Sequence, residues 1–301
     1  DVSGFAAGTS TAFSGTPAAP GAPDGLKISG LLIENDYCFG VQASDQGLNQ
    51  SAPVVFGPAR AQFNITLLDS GSTNNGSRFL DGTSDIDGDG KSDLLVGVSN
   101  GAEAYLYWGA SIGFAATPGI TFSGTASTRF GIQAKVIGDI DKDGLLDVAI
   151  SATLAGGPGT VYIFKGRANW RAISTLNITQ ADYTITYDSV AEPKAASAQL
   201  GTAVARLGDF DGDGIDDVAI GAPYFDGLRG IVVVIRGKAS FPSNLSLGAT
   251  FDPAIAYGIT GEAPANSFGS RLLGFGKFYS GAAGTTLVAS ATQVNPKKVY
   301  T

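Results

Sequence analysis

An all-β chain built from repeated four-stranded sheets is the fold class this sequence predicts, and three observations predict it. Forty-three Gly and thirteen Pro stand beside only 15% charged residues, a composition suited to short strands joined by tight turns and poor in helix. Three acidic segments, 85–93, 139–147 and 209–217, align without gaps. Each runs at once into an apolar stretch (94–96, 148–150 and 218–220) too short for a helix and fit for a buried strand.

Around those segments the self-similarity extends, and a repeat dictates architecture. Phe130-Gly131 and Leu200-Gly201 sit at the same offset before Asp139 and Asp209. A further strand follows a Gly-rich turn at 159–164 and again at 230–235, while 104–107 fits the first unit more loosely. A fourth unit opens at Phe268-Gly269, carries Leu287, Val288 and Ala289, and reaches its next strand at Val299-Tyr300. Units recur roughly every 55–70 residues, the length of a four-stranded sheet with its connections, so each unit reads as a β-propeller blade.

Phe130-Gly131, the run from Gly208 and Asp209 to Asp217, and Gly221-Ala222-Pro223 together resemble the FG-GAP repeat family. Its repeats form the blades of integrin α-subunit heads and of many bacterial surface proteins. The resemblance covers roughly residues 60 to 301 and implies a propeller of about seven blades, of which about four fall in 59–301. It also implies that partners bind on the face opposite the calcium loops. Here that points to Tyr224, Phe225, Asp226 and Arg229 after the Gly-Ala-Pro strand, and to Trp170 and Arg171 in the long segment between blades. Aromatic and Arg side chains are common interface anchors; the alternative is that these rings pack between blades.

The acidic segments carry the chemistry. Ca²⁺ is a hard ion taking six to eight oxygens. Asp at positions one, three, five and nine of each loop supplies four carboxylates: Asp85, Asp87, Asp89 and Asp93; Asp139, Asp141, Asp143 and Asp147; Asp209, Asp211, Asp213 and Asp217. Position seven, occupied by Lys91, Leu145 and Ile215, adds a backbone carbonyl, and Gly at position six permits the turn. An EF-hand would need Glu at position twelve, where this chain has Val96, Ile150 and Ile220. A lone Asp-Gly loop is an ordinary turn, but three copies in register each bring together four acids that would repel one another if no cation were present. Three Ca²⁺ would neutralise most of the formal charge of −8. The fourth unit presents Lys277, Tyr279, Gly281 and Thr285 at the aligned positions and is expected to bind no metal.

Residues 24–56 differ in character. Tyr37, Phe39, Val41 and Ala43 alternate as in a strand with one buried face. Leu31, six residues before Tyr37, and the turn residues Asp45, Gly47, Ser51 and Pro53 look like the last strands of a fibronectin type III sandwich, with Tyr37 at its tyrosine corner. The expected division is therefore a partial N-terminal β-sandwich over 1–58 and β-propeller blades over 59–301. Both ends look cut, so the chain reads as a piece of a longer protein.

Several functions are disfavoured. With no His, the commonest general base and His-based triads are missing; twelve of the twenty-seven acids are assigned to the loops and the rest are scattered without a recognisable carboxylate pair, so the chain is read as not an enzyme. No basic patch suggests nucleic acid, and the apolar run 231–235 is far too short to span a bilayer. Cys38 is the only cysteine and reads as an inert thiol, with an intermolecular link as the alternative. Sequons begin at Asn49, Asn64, Asn75, Asn177 and Asn244, consistent with surface loops of a secreted protein. Extracellular calcium modules bind at about 10⁻⁴ to 10⁻³ M, so the expected home is outside the cell or on its surface. The expected role is adhesion or protein or glycan interaction, with a structural subunit of a surface assembly as the alternative and a non-catalytic part of a secreted enzyme as a third reading.

Overall fold

The computed structural model describes residues 36–41, 54–60, 78–110, 114–115, 117–153, 156–275, 286–291 and 298–300. The chain divides into two compact units, Asp1–Leu68 and Asp69–Thr301. In the first, β1 (Asp36–Val41) pairs antiparallel with β2 (Val54–Arg60), and the register slips between Tyr37 and Phe39. Cys38 lies at that slip. The rest of the expected sandwich lies outside the described residues, as do the sequons at Asn49, Asn64 and Asn75.

The second unit is a succession of propeller blades, each an antiparallel meander. The first blade comprises β3 (Arg78–Ser84), β4 (Asp93–Val98), β5 (Glu103–Tyr107) and β6 (Ile120–Ser123). The second begins with β7 (Phe130–Gly138), β8 (Asp147–Ala152) and β9 (Thr160–Phe164); after β10 (Thr175–Asn177) it ends with β11 (Tyr183–Tyr187). The third has β12 (Ala203–Gly208), β13 (Asp217–Ala222) and β14 (Ile231–Ile235), then β15 (Asn244–Leu247), and closes with β16 (Ala256–Thr260). The fourth shows β17 (Phe268–Phe275), β18 (Thr286–Ala291) and β19 (Lys298–Tyr300). Helix among the described residues is confined to a four-residue turn and three 3-10 turns, and none is long and apolar enough to cross a membrane.

Two short strands leave their own blade. β10 departs after β9 and pairs in parallel with β6, extending the first blade's sheet; β15 departs after β14 and pairs in parallel with β11, extending the second. The connection between third and fourth strands of one blade thus supplies a fifth strand to the blade before it. Sequence periodicity does not reveal this, because each donated segment has few apolar positions: 175–177 alternates exposed, buried, exposed. Asn177 and Asn244, the two sequons among the described residues, sit on these strands and are exposed.

Alternation along the strands explains why the runs are apolar throughout. Val148 and Ile150 of β8 face the core between first and second blades, while Ala149 faces the core between second and third. In β14, Ile231, Val233 and Ile235 face the second blade, whereas Val232 and Val234 face the fourth. A sheet sandwiched between neighbours buries both faces, so the polar half of the usual antiparallel pattern disappears.

Blades approach most closely at the Phe-Gly pair. Gly131 has φ +85°, and a Cβ there would run into the carbonyl of Glu103 in the preceding blade. Only Gly satisfies both conditions. Gly201 and Gly269 repeat the positive φ at the next two blades.

Trp170 marks the other end of this packing. It is 1% exposed and meets Phe122 at 6.4 Å between centroids, with Phe122 in turn 5.0 Å from Phe164. Trp170→Ala is expected to cost about 3–5 kcal/mol, read as a lower urea midpoint at unchanged slope.

Candidate metal centres

Each acidic loop connects the first strand of a blade to its second, so the loops lie at β3–β4, β7–β8 and β12–β13. The carboxylate at position one organises its own loop by accepting backbone N–H groups. Asp85 takes Gly88 at 2.8 Å, Asp89 at 3.1 Å and Gly90 at 2.8 Å; Asp139 takes Asp143 at 3.0 Å and Gly144 at 2.8 Å; Asp209 takes Gly212 at 2.7 Å and Gly214 at 3.0 Å.

Position nine ties the loop to the blade. Asp93, Asp147 and Asp217 are at most 1% exposed. One oxygen of each accepts the N–H of position two (Ile86 at 2.8 Å, Ile140 at 2.9 Å, Phe210 at 2.8 Å). The other accepts an N–H just beyond the third strand: Gly109 at 2.7 Å, Gly166 at 2.7 Å and Gly237 at 2.8 Å. Burial raises the pKa of all three, that of Asp147 to about 7, against the opposing pull of those N–H bonds and with the help of neighbouring carboxylates. A cation among the carboxylates would reverse the last effect.

Three of the four expected carboxylates converge in every loop. Ligand atoms of Asp85, Asp87 and Asp93, of Asp139, Asp141 and Asp147, and of Asp209, Asp211 and Asp217 lie within 4.8 Å of one another. Two oxygens each about 2.4 Å from one Ca²⁺ stand at most about 4.8 Å apart, so the spacing fits that ion, and an all-oxygen set suits hard cations. A further observation supports the fit. Asp141 is 5% exposed, and its Oδ1 is buried without a hydrogen-bond partner, while Oδ2 accepts from Tyr183 Oη at 2.8 Å. Such an orphaned carboxylate oxygen is costly unless something else fills its place.

The fourth carboxylate, at position five, turns onto its own loop. Asp89, Asp143 and Asp213 accept the N–H of Lys91, Leu145 and Ile215 at 2.9, 3.0 and 2.9 Å. The aligned positions of the fourth blade, Lys277 to Thr285, lie outside the described residues.

The structure also brings in basic side chains that the motif does not contain. Lys165 Nζ is 2.5 Å from Asp141 Oδ2 and 3.4 Å from Asp143; Arg236 Nε is 2.6 Å from Asp211 Oδ2. The Asp141 hydrogen bond pushes the Lys165 ammonium pKa upward, and burial with the same carboxylate pushes Tyr183 up to about 12. Both cations directly follow the apolar run of a third strand, and that recurrence is the signal by which sequence could have found them.

The residues expected at a partner surface separate. Trp170 and Phe225 are buried, Phe225 stacking on Tyr187 at 5.7 Å, so both take the packing alternative. Tyr224 is 43% exposed, and Arg229 pairs with Asp226 at 2.9 Å. Arg171 departs from expectation more sharply. It reaches Asp87 and Asp89 on an acidic loop rather than the face opposite the loops. The reason is that its segment runs between β9 and β11 within the second blade and is drawn back over the first by β10.

Comparisons with known proteins agree with this geometry. Residues 85–150 match the FG-GAP-like repeat family model and residues 200–235 the FG-GAP repeat model. The chain is 33% identical over 150 residues to integrin alpha-PS3 of Drosophila melanogaster, an alignment covering 46% of this chain and 13% of that protein. It is 32% identical over 178 residues to integrin alpha-4 of Xenopus laevis, covering 54% and 16%. Phosphatidylinositol-glycan-specific phospholipase D of Rattus norvegicus is 29% identical over 216 residues, covering 64% and 24%. The chain therefore spans a minor part of each relative's length. These findings support an FG-GAP, integrin-like domain.

Proposed function

We propose, from the premise of FG-GAP blades, that this chain is a calcium-stabilised extracellular or cell-surface module for adhesion or for binding a protein or glycan. The observation that carries the proposal is the threefold recurrence of one oxygen cage joining the first two strands of a blade, with Asp141 Oδ1 left unpartnered. Asp85, Asp87 and Asp93, and their counterparts in the other two loops, would hold the ion. The carbonyls of Lys91, Leu145 and Ile215 and the carboxylates of Asp89, Asp143 and Asp213 are the further ligands in this reading. The ion supplies charge neutralisation and rigidity to a turn, and the blades present loops on a fixed scaffold. Similarity to integrin α chains supports the surface setting and the adhesive role.

A non-catalytic role is supported by the engagement of six acids outside the loops among the described residues. Asp81, Asp182, Asp188, Asp216 and Asp252 each accept a backbone N–H, and Asp226 pairs with Arg229. The first unit is read as the end of a fibronectin type III-like sandwich, supported by the β1–β2 pair. A second reading rests on the phospholipase D similarity, which spans more of this chain than either integrin alignment: an accessory propeller within a larger secreted enzyme.

The experiment that tests the proposal immobilises the protein and measures cell adhesion in millimolar calcium. Adhesion is expected, with loss in EDTA and reduction in a Tyr224→Ala/Arg229→Ala variant. Adhesion indifferent to both treatments would overturn it.

A further inference from the structure

Each acidic loop faces a basic side chain, but the first loop obtains its own from another blade. Strand register shows the equivalence. Val148 pairs with Phe164 and Val218 with Ile235, so Lys165 and Arg236 occupy the same position after their third strands. Leu94 pairs with Tyr107, which places Trp108 there in the first blade. An indole brings no charge. Instead the Arg171 guanidinium lies 5.1 Å from the Trp108 ring centroid, binds Asp87 Oδ2 through Nε, and binds Asp89 Oδ2 through a terminal nitrogen at 2.8 Å.

Arg171 is held firmly for a surface side chain. On one side its neighbour Trp170 is locked in the core between first and second blades, and on the other β10 is hydrogen-bonded along β6. The loop also carries a second cation, since Lys91 Nζ pairs with Asp89 at 2.9 Å. The second and third loops differ. There the cation comes from the same blade: Lys165 spans positions three and five of the second loop, and in the third Arg236 meets Asp211 alone.

We infer that Arg171 is a gate on the first metal centre, coupling its occupancy to the junction between the first two blades. This rests on the calcium reading above. The guanidinium bridges the carboxylates at positions three and five. An entering ion must take those carboxylates from Arg171 and bear the repulsion of a fixed positive charge nearby. Two cations, Arg171 and Lys91, pair with the ligand carboxylates of the first centre, against one at each of the other two, so the first centre is the weakest of the three, and filling it frees a cation at the blade junction.

Calorimetric titration of the whole chain with calcium, followed in parallel by tryptophan fluorescence, tests this. Wild type is expected to bind three ions, one more weakly. Arg171→Gln should tighten the weak class about tenfold, the effect of removing one close charge in a partly screened site, and leave the other two unchanged. Asp87→Asn should abolish the weak class, which identifies it. Trp108 emission should change as the weak class fills in wild type and not in Arg171→Gln, whereas Trp170, being buried, contributes a constant background. Arg171→Lys, keeping the charge without the fork, should fall between wild type and Arg171→Gln. Three ions with affinities indifferent to Arg171→Gln would overturn the gate while leaving the calcium reading intact. A wild-type chain that binds no ion would overturn both.

Discussion

On the calcium reading, chelation is expected to lower the melting temperature of this protein by roughly 8–16 °C. An ion that binds only the folded state stabilises by RT ln(1 + [L]/Kd), about 1.4 kcal/mol per site at millimolar calcium for a Kd near 10⁻⁴ M. Three such centres contribute about 4 kcal/mol, and a unit of this size shifts by about 2–4 °C per kcal/mol. Scanning calorimetry in calcium and in excess EDTA measures the difference. Coincident transitions would remove the ion from any account of stability and leave the orphaned oxygen of Asp141 without a partner.

Replacing Asp147 by Ala produces a loss of comparable size through a different cause, and the two are separable. Its carboxylate is fully buried and receives the N–H groups of Ile140 and Gly166. Removing it strands two buried donors at about 1–3 kcal/mol each, so about 2–6 kcal/mol disappears whether or not calcium is present, with the ion's share lost in addition when it is. Asp143→Asn is the contrasting variant. Asp143 is exposed, and its only backbone donor is Leu145 of the same loop, so its cost is expected in calcium and should shrink in EDTA to the roughly 0–1 kcal/mol of its Lys165 ion pair. Denaturant unfolding of both variants in both conditions gives four values. An Asp147→Ala variant as stable as wild type in EDTA would show that position nine acts through the ion alone.

Much of this was legible because the repeat repeats its physics. The runs after each loop became β4, β8 and β13, and the Phe-Gly positions became the close approaches of neighbouring blades, because composition there is dictated by burial on both faces and by backbone contact. What stayed hidden depends on residues far apart in sequence. Segments 175–177 and 244–247 are too short for their alternation (Leu176; Leu245 and Leu247) to announce a strand, and each forms by pairing with the edge of the blade before it. Arg171 was expected among partner-binding residues for its chemistry, guanidinium beside indole, and the structure uses that chemistry internally. The carboxylates at position five looked equivalent to the rest in the motif, yet the geometry of the turn directs Asp89, Asp143 and Asp213 to amides two residues ahead.

The donated strands have a bearing on biosynthesis. As the nascent chain leaves the ribosome, β6 emerges with its outer backbone groups unpaired, and the segment that covers them arrives only after three strands of the next blade have followed. Completion of one blade thus overlaps the birth of its successor, and the growing protein carries a bare strand edge forward until synthesis catches up. Translation that pauses between Phe164 and Thr175 would lengthen the interval in which that edge is open to wrong partners.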